Sequence, residues 1–250
     1  VAGFPKRMQG ITGKVIGNFN PENGIKIANW NLQIFGVSKA SNNELMNFYA
    51  DKINDYDIIF IQEIRDETGT AFEKLCSLLN GYNCLISSRA GRTSSKEQYG
   101  VIYNNSIKVN YLNDYNPDKQ NRWERPPIEV NFDLQDFNLT IFNIHAKPDD
   151  VRNELDYLDD IALNNGYTMV NGDLNMDCEY YSPEVENEFN SWLKIITDKD
   201  DTTVSQNTHC AYDRIIVTRD LSSKIIKYGI DTSIDSKQSD HYLIWVELKK

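Results

Sequence analysis

Histidine is scarce in this chain, and long apolar runs are absent from it. The 250 residues include three histidines and four cysteines. No stretch reaches the roughly 18 consecutive apolar residues that a membrane helix needs. Val1 is not followed by a charged segment and an apolar core, so we expect a mature chain without a signal peptide. The cysteines and histidines also lack the paired spacing of structural zinc sites. The sequence therefore excludes a membrane helix and a zinc-stabilised fold.

Positive charge is also in short supply. Lys and Arg total 26 against 37 Asp and Glu, which gives a net charge of −11. This balance argues against binding a polyanion through broad positive surface. If the substrate is a nucleic acid, we expect the attraction to come from a local basic cluster with bound cations and to weaken steeply with salt.

Regular secondary-structure patterns begin at Ile25. Residues 1–24 are rich in glycine and end in the turn signal Pro-Glu-Asn-Gly, which predicts an arm or short hairpin. Beyond it, short apolar strands alternate with a few amphipathic helices, one of them predicted over residues 183–194. We expect residues 25–250 to form a catalytic domain of α/β class, a four-layered sandwich of two packed mixed β-sheets flanked by helices.

Several predicted strands end in oxygen-bearing side chains. Asn31 and Glu63 follow buried apolar runs, and the later strand ends carry Asp173, Asn175 and Asp240. Carboxylate and amide oxygens are the ligands that Mg²⁺, Mn²⁺ or Ca²⁺ prefers. An acid after a strand can also be a helix cap or a solvated end, so the indication comes from the whole set.

Two of the three histidines occupy similar positions. His145 ends an apolar run, and His241 precedes the final strand. Phosphodiester hydrolysis requires one group that accepts a proton from water and another that protonates the leaving oxygen, and imidazoles titrate near neutrality. Glu97 and Asp213 are candidates to fix their tautomers, although spacing alone assigns neither partner. A structural role for each histidine is the alternative.

The arginines near these motifs are candidates for phosphate contacts. Arg65, Arg92 and Arg125 lie in motif-bearing loops, and a guanidinium fork matches phosphate oxygens. A surface salt bridge is the alternative for each. His209, beside Cys210, is expected in an outer position without a catalytic role.

Together these motifs resemble those of deoxyribonuclease I, within the endonuclease, exonuclease and phosphatase superfamily. The similarity runs from about Ile25 to Leu248 and rests on IKIANWNLQIFG, DIIFIQEIRD, GRTSSKEQYG, NIHAKPDD, NGDLNMDC, CAYDRIIV and SDHY, in the family's order. GDLN and SDH occur across the superfamily, whereas QEIRD, GRTSSKE and CAYDRI point to the deoxyribonuclease I branch. The resemblance implies a metal-dependent endonuclease that cuts DNA with little sequence specificity and leaves 5′-phosphate ends.

The resemblance also implies a metal site. Glu63 would hold a catalytic Mg²⁺ or Mn²⁺, with Asn31 and Asp240 close by. Asp173 and Asn175 would face the scissile phosphate or a second metal. The charge that develops on the phosphate oxygens would be stabilised by the metal and by arginines.

The same resemblance pairs the histidines with acids. It implies that Glu97 orients His145 and that Asp213 orients His241. One histidine would deprotonate the attacking water and the other would protonate the departing 3′ oxygen. We assign His241 as the base and His145 as the acid, although the opposite assignment fits the same residues.

Two departures from the family concern the grip on DNA. Ser95 stands where the family has a tyrosine that stacks in the minor groove, and Gln33 stands where it has a phosphate-contacting arginine. We therefore expect a hold on duplex DNA that is weaker or less shape-selective, with Arg65 as the main minor-groove probe.

The cysteines indicate an exported protein. The resemblance implies a disulfide between Cys178 and Cys210. Cys76 and Cys84 have no counterpart in the family, and either a second disulfide or two free thiols fits them. Because disulfides persist in oxidising compartments, we expect a secreted protein.

The acidic stretch around residue 200 resembles the family's structural calcium loop. It comprises Asp198, Asp200 and Asp201, followed by Thr202 and Thr203. A solvated run of charge is the alternative.

Two other functions fit parts of the pattern. A phosphodiesterase or phosphatase for lipids or small esters could use the same scaffold, but the chain lacks an apolar loop for docking to membranes. A nuclease-like binding protein without catalysis would be expected to lack a member of the set, and none is missing. We therefore expect DNA as the substrate, no membrane contact, and a monomer.

Overall fold

The computed structural model describes residues 24–162, 166–182 and 188–250. Apart from Gly24, the predicted arm lies outside the described residues. The strands of the described part are β1 (Ile25–Phe35), β2 (Ile58–Ile64), β3 (Tyr82–Ile86), β4 (Gln98–Asn104), β5 (Lys108–Asp114), β6 (Ile128–Asp133), β7 (Asn138–His145), β8 (Thr168–Asp173), β9 (Leu193–Lys194), β10 (Asp213–Val217), β11 (Ile225–Asp231) and β12 (Leu243–Leu248). The helices are α1 (Val37–Ser41), α2 (Asn43–Ile53), α3 (Thr70–Ser77), α4 (Val151–Ile161) and α5 (Arg219–Ser222), with a 3₁₀ turn at Pro148–Asp150.

The strands form two six-stranded mixed sheets. The first sheet has the order β11-β12-β1-β2-β4-β3, and the second has the order β5-β6-β7-β8-β10-β9. The pairs β1–β2 and β7–β8 are parallel. Their neighbours β12, β4, β6 and β10 pair with them in antiparallel fashion. This arrangement confirms the predicted sandwich of two packed mixed sheets.

Apolar side chains fill three layers of packing. The largest cluster lies between the sheets, a second lies between the first sheet and helices α1 to α3, and a third lies between the second sheet and α4. Representative members of the three clusters are Phe60 and Val130, Trp30 and Phe72, and Phe142 and Leu155. Each fully buried side chain of this size contributes about 1.5–3 kcal/mol of transfer free energy. The site described below lies at one end of these layers.

Short polar side chains begin the helices next to the first sheet. Asn42 caps α2 by accepting a hydrogen bond from the Leu45 N–H. Asp66 accepts hydrogen bonds from Thr68, Thr70 and the Ala71 N–H at the start of α3. Burial opposes the charge on Asp66, but these donors outweigh it and lower its pKa to about 2. These hydrogen bonds therefore fix the segment that follows β2.

The helix predicted over residues 183–194 is wrong over its described residues 188–194, and one strand besides β9 was not anticipated. Residues 183–187 lie outside the described residues, but 188–192 form a turn and β9 follows. β9 pairs with β10 at the edge of the second sheet, and this tertiary pairing outweighs the helical pattern. The unanticipated strand, β11, is half exposed at the edge of the first sheet, so its sequence carries little apolar alternation.

No helix among the described residues is long and apolar enough to cross a membrane. All four cysteines form disulfides. Cys178 bonds to Cys210, and Cys76 at the end of α3 bonds to Cys84 in β3. The second pair therefore joins a helix to the next strand of the chain.

The two disulfides are expected to differ in their contribution to stability. Removing Cys178–Cys210 with two alanines should lower the free energy of unfolding by about 3–4 kcal/mol, because the bond spans 32 positions of the unfolded chain. Removing Cys76–Cys84, which spans 8 positions, should cost about 2–3 kcal/mol. Urea unfolding of both double variants measures this difference. A larger loss for the shorter loop would contradict the chain-entropy explanation.

Candidate active site

Three neighbouring strands of the second sheet place polar side chains side by side. His145 at the end of β7 is in register with Asp173 at the end of β8. Asp173 is in turn in register with Asp213 at the start of β10. Because β7 and β8 are parallel and β10 is antiparallel to β8, the ends of β7 and β8 and the start of β10 meet at the same end of the second sheet. The local sequence of each strand does not contain this information.

The first sheet contributes residues to the same end of the sandwich through two irregular strands. The register of β1 against β2 shifts between Asn31 and Phe35, and the register of β2 against β4 shifts near Glu63. Gln33, Ile34 and Glu63 have positive φ angles of 45°, 53° and 58°. Such bulges and strained residues are concentrated next to active sites, where they redirect side chains.

The backbone at this bulge binds the side chains of Asn31 and Glu63. The Gln33 N–H donates to Asn31 Oδ1 at 2.9 Å, and the Ile34 N–H donates to Glu63 Oε2 at 2.8 Å. Asn31 Nδ2 donates to Glu63 Oε1 at 3.3 Å and to Asp173 Oδ2 at 3.0 Å. Asn31 therefore lies between two carboxylates, one from each sheet, and reduces their mutual repulsion.

Each of two histidines is hydrogen-bonded to a buried carboxylate. His145 Nδ1 lies 2.6 Å from Glu97 Oε1, and His241 Nδ1 lies 2.7 Å from Asp213 Oδ2. Both Nε2 atoms point to one oxygen, Asp173 Oδ2, at 3.4 Å from His145 and 3.5 Å from His241. With Nδ1 engaged by a carboxylate, Nε2 is the atom available for proton transfer.

The surrounding charges raise the pKa of both imidazoles. Burial lowers the pKa of His241, but the Asp213 and Asp173 carboxylates outweigh it and raise that pKa well above its ordinary value. Burial and Arg125 lower the pKa of His145, and Glu97 with Asp173 raises it by more. Both rings therefore hold a proton more tightly than an exposed histidine does.

The carboxylates near this point fit a hard divalent cation. Glu63, Asp173 and Asp240 offer oxygen ligands, and Asp240 Oδ1 lies 3.7 Å from His241 Nε2. Asp173, Asp213 and His241 also bring one ligand atom each within 4.8 Å of one another. Glu63, Asp173 and Asp240 do not form such a convergent set among the described residues, so a cation held by these three carboxylates remains a prediction.

Asn31 is oriented differently from the predicted ligand. It presents its NH₂ group, not its carbonyl oxygen, to Glu63 and Asp173, because Oδ1 accepts from the Gln33 N–H. Asp240 lies at the rim, since its side chain is 51% exposed. Glu63 is partly buried, with a side chain 12% exposed, and Asn31 is fully buried.

Two of the three predicted arginines lie at the acids. Arg65 Nη2 is 2.8 Å from Glu63 Oε2 and 3.8 Å from Glu97 Oε2. Arg125 Nε is 3.3 Å from Glu97 Oε1 and donates to the His145 carbonyl at 2.9 Å. Together with His145 they lower the pKa of Glu97 in spite of its burial. Arg125 therefore fixes the Glu97–His145 pair, in addition to the phosphate contact predicted for it.

Arg92 lies apart from the acids. Its side chain is exposed, and Nη2 donates to the Asn121 carbonyl at 2.7 Å. Ser95 lies exposed in the same loop. These two residues therefore lie at the surface of the loop that precedes Glu97.

Asn175 is buried directly after β8. Its Nδ2 donates to the Ala146 carbonyl at 3.0 Å, and its N–H donates to Asp173 Oδ1 at 3.3 Å. The residue has a positive φ of 49°. Asn175 therefore fixes the turn that follows Asp173 against the turn that follows His145.

The predicted calcium ligands have separate local partners. Asp200 Oδ2 accepts from the Thr197 N–H at 2.7 Å, Asp201 Oδ2 lies 2.8 Å from His209 Nδ1, and Asp198 is exposed. These three carboxylates are not among the convergent ligand sets of the described residues. Calcium binding in this loop remains a prediction.

A layer of buried amides beneath the site was missed at the sequence level. Gln62 Nε2 donates to the Ile144 carbonyl at 2.6 Å, and Gln62 Oε1 accepts from the Asp173 N–H at 3.0 Å. Three buried asparagines continue this network between the sheets: Asn29, Asn143 and Asn171. Each asparagine precedes a site residue by two positions and so shares its strand face. An amide within an apolar strand, two residues before a candidate site residue, is the signal that could have identified them.

Only glycine fits at position 172. Its φ is +147°, and an added Cβ would lie 2.0 Å from the Ile144 carbonyl oxygen and 2.8 Å from Gln62 Nε2. The close approach of β7 and β8 at this point sets His145 beside Asp173. The glycine of the GDLN motif is therefore required for the geometry of the site.

Comparisons with known proteins identify the family of this chain. The model of the Endonuclease/Exonuclease/phosphatase family matches residues 28–241. Deoxyribonuclease-1 of Homo sapiens is 32% identical over 263 residues, covering 90% of this chain and 92% of that protein. Deoxyribonuclease gamma of Mus musculus is 31% identical, covering 77% of this chain and 70% of that protein.

Solved structures share the fold at low sequence identity. Humanised D. rerio TDP2 has a TM-score of 0.69 at 13% identity and covers 90% of this chain and 99% of its own. The mannosyl-6-phosphatase of Bacteroides thetaiotaomicron has a TM-score of 0.63 at 16% identity, with coverages of 90% and 100%. These likenesses show a common fold.

Proposed function

Because this chain is a deoxyribonuclease I-like member of the endonuclease/exonuclease/phosphatase family, we propose that it is an endonuclease that hydrolyses DNA phosphodiester bonds. The observation that carries the proposal is the convergence of two carboxylate-bound imidazoles. The Nε2 atoms of His145 and His241 lie 3.4 and 3.5 Å from the same oxygen of Asp173. An acid and a base on either side of one point suit the displacement of an oxygen from phosphorus.

The proposed reaction moves one proton at each imidazole. Neutral His241 accepts a proton from the attacking water at Nε2, while Asp213 stabilises the cation that forms. Protonated His145 donates from Nε2 to the departing 3′ oxygen, while Glu97 holds its Nδ1–H. A bond forms between the water oxygen and phosphorus, and the P–O3′ bond breaks. The products carry a 5′-phosphate and a 3′-hydroxyl.

The excess of carboxylates supports metal dependence. Glu63, Asp173 and Asp240 would hold Mg²⁺ or Mn²⁺. When bound, the cation polarises a phosphate oxygen and offsets the carboxylates that raise the pKa of His241. Arg65 lies against Glu63 with its side chain 28% exposed, which leaves the guanidinium accessible to a phosphate. The two disulfides favour secretion, and we propose that the enzyme acts outside the cell as a monomer.

Supercoiled plasmid provides the direct test. The protein should convert it to the nicked circle in Mg²⁺ and should leave it intact when a chelator is present. If the nicks carry 5′-phosphate and 3′-hydroxyl ends, DNA ligase should reseal them without prior kinase treatment. Plasmid that stays supercoiled in Mg²⁺, or nicks that ligase cannot close, would contradict the proposal. A small ester such as bis(p-nitrophenyl) phosphate, assayed in parallel, tests the alternative of a general phosphodiesterase.

A further inference from the structure

Arg89 lies at the margin of the site and has no role in the chemistry described above. Its Nη1 donates to the Arg65 carbonyl at 3.0 Å. The next residue, Ala90, pairs with Glu97 through two backbone hydrogen bonds of 2.9 Å. Arg89 is therefore adjacent to Ala90, and Ala90 pairs with Glu97, the carboxylate partner of His145.

Among the described residues, no carboxylate forms a salt bridge with Arg89. Throughout the part of the chain that the structure describes, the salt bridges include Arg65, Arg122 and Arg125 but not Arg89. Arg92 and Lys96 in the adjoining loop also make no salt bridge within that part. In a protein of net charge −11, a group of cationic side chains without a salt bridge among the described residues is a local exception. Such a group would attract an anion from outside the protein.

The backbone around Arg89 is held in place before any ligand binds. The Ser88 N–H donates to Asp114 Oδ2 at 2.6 Å. Asn116 Nδ2 donates to the Arg89 carbonyl at 3.1 Å and to Ser88 Oγ at 2.8 Å. A preformed loop loses little conformational entropy on binding, so its side chain is suited to a ligand contact.

The guanidinium has donors to spare. Arginine carries five N–H donors in a planar fork, and Arg89 uses one of them for the Arg65 carbonyl. The side chain is partly exposed, so the remaining donors have access to solvent. A guanidinium with free paired donors matches the oxygens of a phosphate diester.

We propose that Arg89 is a further DNA-binding residue, which contacts a backbone phosphate next to the scissile one. This inference rests on the proposed function and deepens it. Arg89 and Arg92 would form a cationic rim outside Arg65. Ser95, exposed in the same loop, offers no ring on which a base or sugar could stack, so the grip on DNA at this rim is electrostatic.

A phosphate contact has a signature in the salt dependence of binding. Each neutralised phosphate adds about 0.9 to the slope of log K against log [salt]. The slope for Arg89→Gln should therefore be smaller in magnitude by about 0.9, the value for one phosphate contact. The advantage of the parent over the variant should shrink about threefold between 50 and 200 mM salt, as that slope requires. Binding of a fluorescently labelled duplex, followed by anisotropy in EDTA so that no cleavage occurs, measures both quantities.

Arg219→Gln is the matched control, because it removes the same charge elsewhere. Arg219 lies beyond the far end of β10 from Asp213, more than about 13 Å from the site along the strand. Its slope should equal that of the parent. Arg89→Lys keeps the charge and should keep the slope, with weaker binding because the fork is lost.

The outcomes separate this inference from the proposed function. A parent protein that binds the duplex but does not nick plasmid contradicts the endonuclease and leaves the Arg89 contact measurable. If Arg89→Gln keeps the parent slope, Arg89 does not bind phosphate and the inference is overturned. The same holds if the variant lowers kcat while its KM and slope stay unchanged, since that result indicates a purely structural role. A changed slope with Arg89→Lys and no change with Arg89→Gln would overturn it as well.

Discussion

Replacing His145 or His241 with alanine is expected to lower kcat for plasmid nicking by about 10²- to 10⁴-fold, the range for loss of a general acid or base. Each imidazole presents Nε2 to the same oxygen of Asp173, and in the proposed mechanism each would serve one of two coupled proton transfers. The double variant should be little slower than the slower single variant, because the two groups act as a unit. Single-turnover nicking rates at saturating protein measure these effects.

The third histidine is the control for this experiment. His209 has a side chain 66% exposed and contacts Asp201 in the loop that follows β9. His209→Ala removes the same ring and should retain the nicking rate of the parent. Equal thermal unfolding temperatures for the four variants would show that the losses are chemical. Nicking at the parent rate by His145→Ala or His241→Ala would remove the basis of the proposed mechanism.

If His241 is the proposed base, replacing Asp213 with asparagine is expected to lower kcat by about 10³- to 10⁴-fold, the loss found where a catalytic histidine loses its carboxylate partner. Asp213 lies 2.7 Å from His241 Nδ1 and is fully buried, so an amide there no longer stabilises the imidazolium. The change should also lower the pKa of His241, because the Asp213 carboxylate is the main charge that raises it. The residual activity should therefore have a displaced pH profile.

The direction of that displacement assigns the proton transfers. As the base, His241 must be neutral, and its pKa sets the acidic limb of the profile of kcat/KM. A lower pKa then moves the acidic limb to lower pH. As the acid, His241 must be protonated, and the alkaline limb moves to lower pH instead. Our assignment predicts the first result.

Glu97→Gln provides the reciprocal measurement. Glu97 raises the pKa of His145, so its loss should move the limb that belongs to the acid, which is the alkaline limb, to lower pH. The two variants should thus move opposite limbs of one profile. A profile that stays fixed in both variants would show that the imidazoles do not set the pH dependence.

Much of the fold could be predicted from local patterns. The sequences of β1, β2, β7 and β8 are rich in apolar residues because these strands are largely buried on both faces, and such stretches are visible in the sequence. The helix predicted over residues 183–194 failed where β9 pairs with the edge of β10. Pairing with a distant strand leaves no trace in local periodicity.

The site could be predicted in membership but not in arrangement. His145 and Glu97 are 48 positions apart, and many acids of this chain would have suited that spacing equally well. Their pairing came from a family resemblance, and its physical basis is the position of Glu97 immediately before β4. The orientation of Asn31, with its NH₂ group toward the acids, depends on the bulge at Gln33.

The sequence by itself determined which chemical groups are available: two histidines at strand ends, an excess of carboxylates, and arginines in the adjoining loops. It also determined where most strands and helices lie, because burial imposes a period that the residues must follow. The tertiary structure alone decided that His145, Asp173 and Asp213 stand in register across three strands. It alone also left Arg89 without a carboxylate partner in the described residues. Register and charge balance arise between segments that are distant in the chain, so they are fixed only when the sheets pack.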